Sequence, residues 1–292
     1  MNSIGTTSKT LEIIKKYDFV FQKKYGQNFL TDHNILDKIV SSAQVNKNDH
    51  IIEIGPGIGT LTEYLCQNAG SVTAIEIDPA LIPILNDTLS EFTNLNIVNI
   101  DVLKFDIKKY IEENVREESV KVVANLPYYI TTPIIMKLLE EKLPLKSITV
   151  MVQTEVAKRM QTGPGSKDYG ALSLAVGYYS DPKITATVPP NCFIPRPKVG
   201  SSVIRLDIYK EPPIKVKDEE HMFRLIRAAF NQRRKTLANS LSNDSSLELK
   251  RDEVCRALSQ MGLDERIRGE ALTLKEFALL SDILKNSENN NI

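Results

Sequence analysis

A chain of 292 residues with 42% hydrophobic and 25% charged side chains can bury a sizeable core, enough for one large domain and a smaller one. Basic and acidic residues number 37 each, so a polyanionic partner has to be met by a local patch rather than by the whole surface. The longest apolar runs fall short of a membrane span, Met1–Thr10 lack the apolar stretch of a secretory signal, and a cytoplasmic protein without membrane contact is expected. Cys66, Cys192 and Cys255, like His33, His50 and His221, are scattered, which argues against a disulfide framework and against a metal cage.

Apolar runs at His50–Ile54, Val72–Ile77, Ile97–Ile100, Val120–Ala124 and Ser147–Val152 alternate with helical patterns such as Thr60–Asn68 and Pro79–Leu89. That alternation predicts an α/β fold, a mostly parallel sheet covered by helices on both faces. Lys183–Val188 and Ser202–Ile208 follow without a long helical pattern between them and suggest an antiparallel edge pair. Glu211-Pro212-Pro213 and the charged stretch after it read as a linker over 211–220. Met222–Leu241, Arg251–Met261 and Thr273–Leu284 carry helical spacing, so a small α-helical domain over 221–292 is expected after a large domain over 1–210.

Between the first strand and the first helix of this sheet lies Glu53-Ile54-Gly55-Pro56-Gly57-Ile58-Gly59-Thr60. Gly55 and Gly57 let a ligand approach the backbone at the carboxyl end of a parallel strand. Glu76 ends the next strand, where an acid accepts hydrogen bonds from ribose hydroxyls, and Asp101 follows the third. The third glycine comes one residue too early for the pyrophosphate-binding form, and no P-loop lysine follows. Two acids at such a rim favour a ligand with a ribose and amino groups, a description that S-adenosylmethionine fits. The plainer alternative is that Glu76 and Asp101 cap the helices after them.

Asn125-Leu126-Pro127-Tyr128 closes the fourth apolar run with an amide, an imide ring and an aromatic face. An Asn side-chain carbonyl and a backbone carbonyl of Leu126 or Pro127 can accept both hydrogens of an exocyclic amine while the Tyr ring covers its heterocycle. Such a group suits a nucleobase or a planar amide; alone, the motif also reads as a turn after a strand.

In one order, the glycine loop, the acids and this motif resemble the ribosomal RNA adenine N6-dimethyltransferases, most closely the bacterial branch acting on 16S rRNA of the small subunit. The resemblance runs through Lys24–Leu30 (KYGQNFL), Asn125–Pro133 (NLPYYITTP), Phe193–Val199 (FIPRPKV), Phe230–Leu237 (FNQRRKTL) and Arg268–Glu270. It implies a Rossmann-like class I S-adenosylmethionine-dependent methyltransferase sheet, its first 48 residues closing over the cofactor, with the C-terminal helices recognising RNA. Asn28 and Leu30 would close over the methionine part, with Gly55 and Gly57 beneath; Glu76 would hold the ribose, Asp101 the adenine amino group, and Asn125 would border cofactor and substrate. Tyr128 and Phe193 would sandwich the target base, with Leu126 and Pro127 beside it. Tyr25 stands where the family has Leu, and Gly200 where an acid or amide is common; neither carries a proposed chemical role.

The product implied is N6,N6-dimethyladenosine at two adjacent adenosines near the 3′ end of 16S rRNA, made by a monomer on an assembling 30S subunit. On a helical wheel from His221 to Ser240, Arg224, Arg227, Asn231, Arg234 and Lys235 share one arc beside an apolar stripe. With Arg233 and Lys198 they are the candidates for phosphate contacts, against the plainer reading of a solvated face. Rival readings are a 23S rRNA dimethyltransferase, a non-catalytic assembly factor that keeps the fold, and a nicotinamide-dependent dehydrogenase, the last weakened by the early third glycine.

Overall fold

The apolar runs become the strands of one sheet in the computed structural model, which describes residues 3–117 and 119–289. The described residues form two compact units, Met1–Lys158 with Asp181–Ile208, and Arg159–Ser180 with Tyr209–Ile292.

In the first unit α1 (Thr7–Lys16), β1 (Phe29–Leu30) and α2 (His33–Ala43) lead into β2 (Asp49–Ile54), α3 (Thr60–Asn68), β3 (Ser71–Glu76), α4 (Ile82–Thr88), β4 (Leu95–Asn99), α5 (Ile107–Asn114), β5 (Ser119–Asn125), α6 (Thr131–Glu140) and β6 (Leu145–Gln153). The chain continues through α7 (Thr154–Met160) and α8 (Ala171–Tyr179) to β7 (Ser180–Val188), β8 (Phe193–Ile194) and β9 (Ser201–Ile208). The sheet order is β4-β3-β2-β5-β6-β9-β7. β2 pairs in parallel with β3 and β5, β3 with β4, and β5 with β6, whereas β9 runs antiparallel to β6. Every residue of β2 is buried, as a strand covered on both faces by helices must be.

The expected parallel α/β sheet is therefore present, and the two late strands lie together at its edge, with β9 between β6 and β7. Successive strands step one way from β2 to β4, then the chain returns to place β5 on the other side of β2. A crevice opens outside the carboxyl ends of the strands where the order reverses, and β2, β3 and β5 deliver the glycine loop, Glu76 and Asn125 to it. The two-residue strands β1 and β8 pair separately, Leu30 opposite Phe193.

The second unit holds α8, α9 (Glu219–Asn231), α10 (Leu237–Ser242), α11 (Arg251–Gln260) and α12 (Leu274–Asn289). It includes residues 159–180, which chain order alone assigned to the sheet domain. The reason is aromatic packing: the Tyr178 and Tyr179 rings lie 5.4 and 5.5 Å from Phe223, and Tyr169 lies 5.9 Å from Phe230. The single helix expected over Met222–Leu241 is in fact two. After Asn231 the polar run Gln232–Lys235 offers no side chain for the apolar stripe; Lys235 N–H donates to the Gln232 carbonyl (2.8 Å), and the Thr236 hydroxyl caps α10. Arg234 and Lys235 thus sit in a turn, off the face that carries Arg224 and Arg227.

Candidate functional site

The loop after β2 turns on glycines because its backbone enters the left-handed region, with φ of 71° at Gly55 and 62° at Gly57. A Cβ on Gly57 would come within 3.0 Å of the Phe29 ring, so strain and space both reserve that position for glycine. This loop forms the floor of an open cleft of about 740 Å³ whose walls include Asn28, Leu30, Glu76 and Asn125–Tyr128. Six of the expected cofactor residues (Asn28, Leu30, Gly55, Gly57, Glu76 and Asn125) are brought together here. The seventh, Asp101, lines an adjoining hollow of about 370 Å³ with Ile77, Val102 and Ile134, and accepts the N–H of Leu103 (3.0 Å). Gly55, Ile77, Pro127 and Tyr129 border both spaces.

Glu76 is buried and accepts the N–H groups of Asp78 (2.7 Å) and Gly57 (3.3 Å). Burial pushes its carboxyl up to about 7, with these N–H groups pulling the other way. Glu53, which sequence reasoning passed over, also lines the cleft; burial pushes it up to about 8, and its Oε2 has no hydrogen-bond partner among the described residues. Its signal was visible, an acid opening the glycine loop. Tyr129 was missed as well, although it is 56% exposed and borders both spaces.

Asn125 ends β5, and its Nδ2 donates to the carbonyl of Asn28 (3.1 Å). The amide is thereby oriented, and Oδ1 accepts no hydrogen bond among the described residues. The Pro127 carbonyl receives both Ile130 N–H (3.3 Å) and the Thr131 hydroxyl (3.0 Å), so its two lone pairs are used. The Leu126 carbonyl, in contrast, takes no donor among the described residues, while the Leu126 N–H is fixed to Met151 O (3.1 Å). Of the two carbonyls left open by the sequence, Leu126 is the available one. Tyr128 stands half-buried at the cleft, its hydroxyl 2.7 Å from that of Ser201, and burial raises its pKa.

Phe193 is not among the residues that line the cleft with Tyr128. It is 3% exposed and packs in the core with Leu30, Val123, Met151 and Val188, held there by its pairing with Leu30. The basic candidates also divide. Arg224 is half-buried and donates to Ser246 O (3.4 Å), while Arg233 donates to Tyr169 O (2.6 Å) and lies 3.8 Å from Glu270. Arg227, Arg234, Lys235 and, in the first unit, Lys198 are exposed.

The chain matches ribosomal RNA adenine dimethylase over residues 18–284. It is 58% identical over 285 residues to the ribosomal RNA small subunit methyltransferase A of Lachnoclostridium phytofermentans (97% of this chain, 98% of the relative), and 50% identical over 284 residues to that of Clostridioides difficile (97% and 98%). Among solved structures, a dimethyladenosine transferase from Plasmodium falciparum shares the fold with a TM-score of 0.71 at 24% identity, covering 90% of this chain and 98% of that one. The 23S rRNA methyltransferase ErmE gives 0.62 at 25% identity, covering 88% and 99%. Identity of this order along almost the whole chain, together with a family match over residues 18–284, makes the protein an enzyme of the ribosomal RNA adenine dimethylase family.

Proposed function

We propose that the protein transfers methyl groups from S-adenosylmethionine to N6 of two adjacent adenosines near the 3′ end of 16S rRNA, on an assembling small subunit. The observation that carries this reading is the pair of unfilled acceptors, Asn125 Oδ1 and the Leu126 carbonyl, at the mouth of a glycine-floored cleft.

The cleft suits the methyl donor. Its loop leaves no room for a side chain at Gly57, its rim carries carboxyl groups where a pyrophosphate would need donors, and the apolar hollow beside it ends in Asp101. Glu76 would accept the ribose hydroxyls, Asp101 the adenine amino group, and the Asn28–Leu30 segment would close over the amino-acid end. When bound, the donor supplies a methyl group on a sulfonium, a good leaving group.

The chain's own residues then act on the adenine. Its N6 lone pair is delocalised into the ring, and N6 is a poor nucleophile. Accepting one N–H at Asn125 Oδ1 and the other at the Leu126 carbonyl draws density onto nitrogen and pyramidalises it. Both dipoles also face the positive charge that develops there. The Tyr128 ring fixes the plane of the base, and alignment for in-line transfer supplies much of the rest. The aminium proton is acidic enough to leave to water, so no strong base is needed. Phe193 acts from behind, bracing Leu30 and the closing segment through the β1–β8 pair. A paired adenosine cannot enter, so the target lies in a loop or is extruded. Arg227, Arg234, Lys235 and Lys198 are the exposed cations we assign to phosphate contacts. We read the protein as a cytoplasmic monomer; among the described residues no helix is long and apolar enough to cross a membrane.

Mapping N6,N6-dimethyladenosine in 16S and 23S rRNA from cells with and without the protein tests the reading. The modification should vanish from 16S rRNA alone, and Asn125→Ala should lower turnover by about tenfold to a thousandfold. Loss from 23S rRNA instead, or unchanged turnover in Asn125→Ala, would overturn it.

A further inference from the structure

Gln27 uses both ends of its carboxamide. Oε1 accepts the N–H of Gln22 (2.9 Å), and Nε2 donates to Oδ2 of Asp78 (2.7 Å). Asp78 is only 1% exposed, receives Ala80 N–H on Oδ1 (3.1 Å), and donates its own N–H to Glu76 Oε1 (2.7 Å). On the other side of Gln27, the Gly26 carbonyl accepts the Asn28 side-chain amide (3.0 Å), and the Asn28 carbonyl accepts Nδ2 of Asn125 (3.1 Å). A continuous path of hydrogen bonds and one short piece of backbone therefore joins the carboxyl group at the end of β3 to the amide at the end of β5.

We propose that Gln27 and Asp78 form a clasp that positions Asn125 and ties its orientation to Glu76. The proposal rests on the reading of Asn125 as the acceptor for adenine N6 and of Glu76 as the ribose partner. Asp78 is too deeply buried to find water in place of its donors; the Gln22 amide reaches it only at 3.4 and 3.5 Å, so the Gln27 amide at 2.7 Å is its principal side-chain complement. With the clasp shut, the Tyr25–Asn28 segment cannot drift from β3, and the Asn28 carbonyl stays within reach of Asn125 Nδ2. Oδ1 then faces the substrate. With the clasp open, Asn125 loses the one bond that tells its two ends apart. Gln27 and Asp78 are positioning residues, acting through Asn28 and Asn125.

The test exchanges donor and acceptor across the bond in the full-length protein. Gln27→Glu sets a second carboxylate against Asp78, Asp78→Asn sets two amides against each other, and the double variant restores one donor and one carboxylate. Turnover and KM are measured on small subunits lacking the modification, and S-adenosylhomocysteine affinity by calorimetry. Each single variant should lose about tenfold or more in kcat with KM for the subunit little changed, and weaken S-adenosylhomocysteine binding; the double should return to within about threefold of the parent. Damage unrelated to the clasp would not be rescued. Gln27→Ala carries the same expectation as Gln27→Glu should the latter fail to fold. Single variants with parental kcat, or a double variant as impaired as the two losses multiplied, would overturn the clasp. If the parent itself methylates no adenine, the functional reading fails separately, and S-adenosylhomocysteine affinity across the same proteins still decides the clasp.

Discussion

Glu76 holds a carboxyl group where it prefers to keep its proton. Burial, with the Asp78 charge nearby, lifts it from an ordinary 4.5 to about 7 despite the N–H groups it accepts. In the empty protein this raised value costs stability as pH climbs from about 4.5 through about 7, because the unfolded chain releases that proton first. Binding runs the other way, since the ionised form is the better acceptor for ribose hydroxyls. S-adenosylhomocysteine affinity should therefore tighten by up to about tenfold between about pH 6 and about pH 8, and Glu76→Gln should remove most of that slope, leaving what Glu53 contributes. A parent affinity that is flat in calorimetry over this range would contradict the assignment. At this scale Asn125, Gly55, Gly57 and Glu76 were legible, because each is a residue type with few other reasons to end a buried strand or turn a loop. The choice between Leu126 and Pro127 was not, since it depends on which carbonyl Ile130 and Thr131 occupy after the turn. Nor was the burial of Phe193, which follows from a two-residue strand pairing with no periodic signature.

Strands β2, β3 and β5 were readable as elements because both faces are covered, so that apolar residues dominate them and the few polar ones, such as Glu53, Thr73 and Lys121, are buried too. The helix from Met222 to Leu241 was misread because a wheel continues through any polar stretch that happens to keep phase, whereas the chain leaves the helix at Gln232–Lys235. On the proposed assignment of phosphate contacts, the break matters for RNA. It lifts Arg234 and Lys235 out of a helical face onto an exposed turn, free of the bonds that tie Arg224 and Arg233 within their own unit. Charge reversal at both, Arg234→Glu with Lys235→Glu, should weaken subunit binding and reduce the slope of log K against log salt by about one to two, with cofactor affinity unchanged. An unaltered salt slope would move the phosphate contacts elsewhere. Alanine at Arg233 should instead lower thermal stability, through the lost bond to the Tyr169 carbonyl.

Across the whole molecule the sheet carries its chemistry at one end and an anchor at the other. Lys121 and Asp49, 2% and 1% exposed, meet at 2.7 Å where β5 and β2 begin, and Lys121 also donates to Gln44 O (2.6 Å). Burial opposes the Asp49 charge, but the bonds from Lys121 Nζ and Asn46 N–H hold its pKa below the usual carboxylate range. Lys121→Met would strand that carboxylate and should cost about 3–5 kcal/mol in denaturant unfolding; a loss under about 1 kcal/mol would show the pair to be dispensable. The long-range partnerships that shape the molecule, such as this pair or Tyr178 with Phe223, leave no local trace in sequence, which is why the parallel sheet could be read and the assignment of residues 159–180 could not. At the chemical end, on the reading proposed above, Asn125 Oδ1 and the Leu126 carbonyl amount to a device that counts hydrogens. Adenine arrives with two to offer, the monomethyl product keeps one, and the dimethyl product has none, so each turnover loosens the site's hold on what it has made. A base with an oxygen in place of the amine would set three acceptors against one another and be refused. Stopping at two methyl groups, releasing the product and rejecting hypoxanthine are then one property of two acceptor oxygens that take no donor from the described residues.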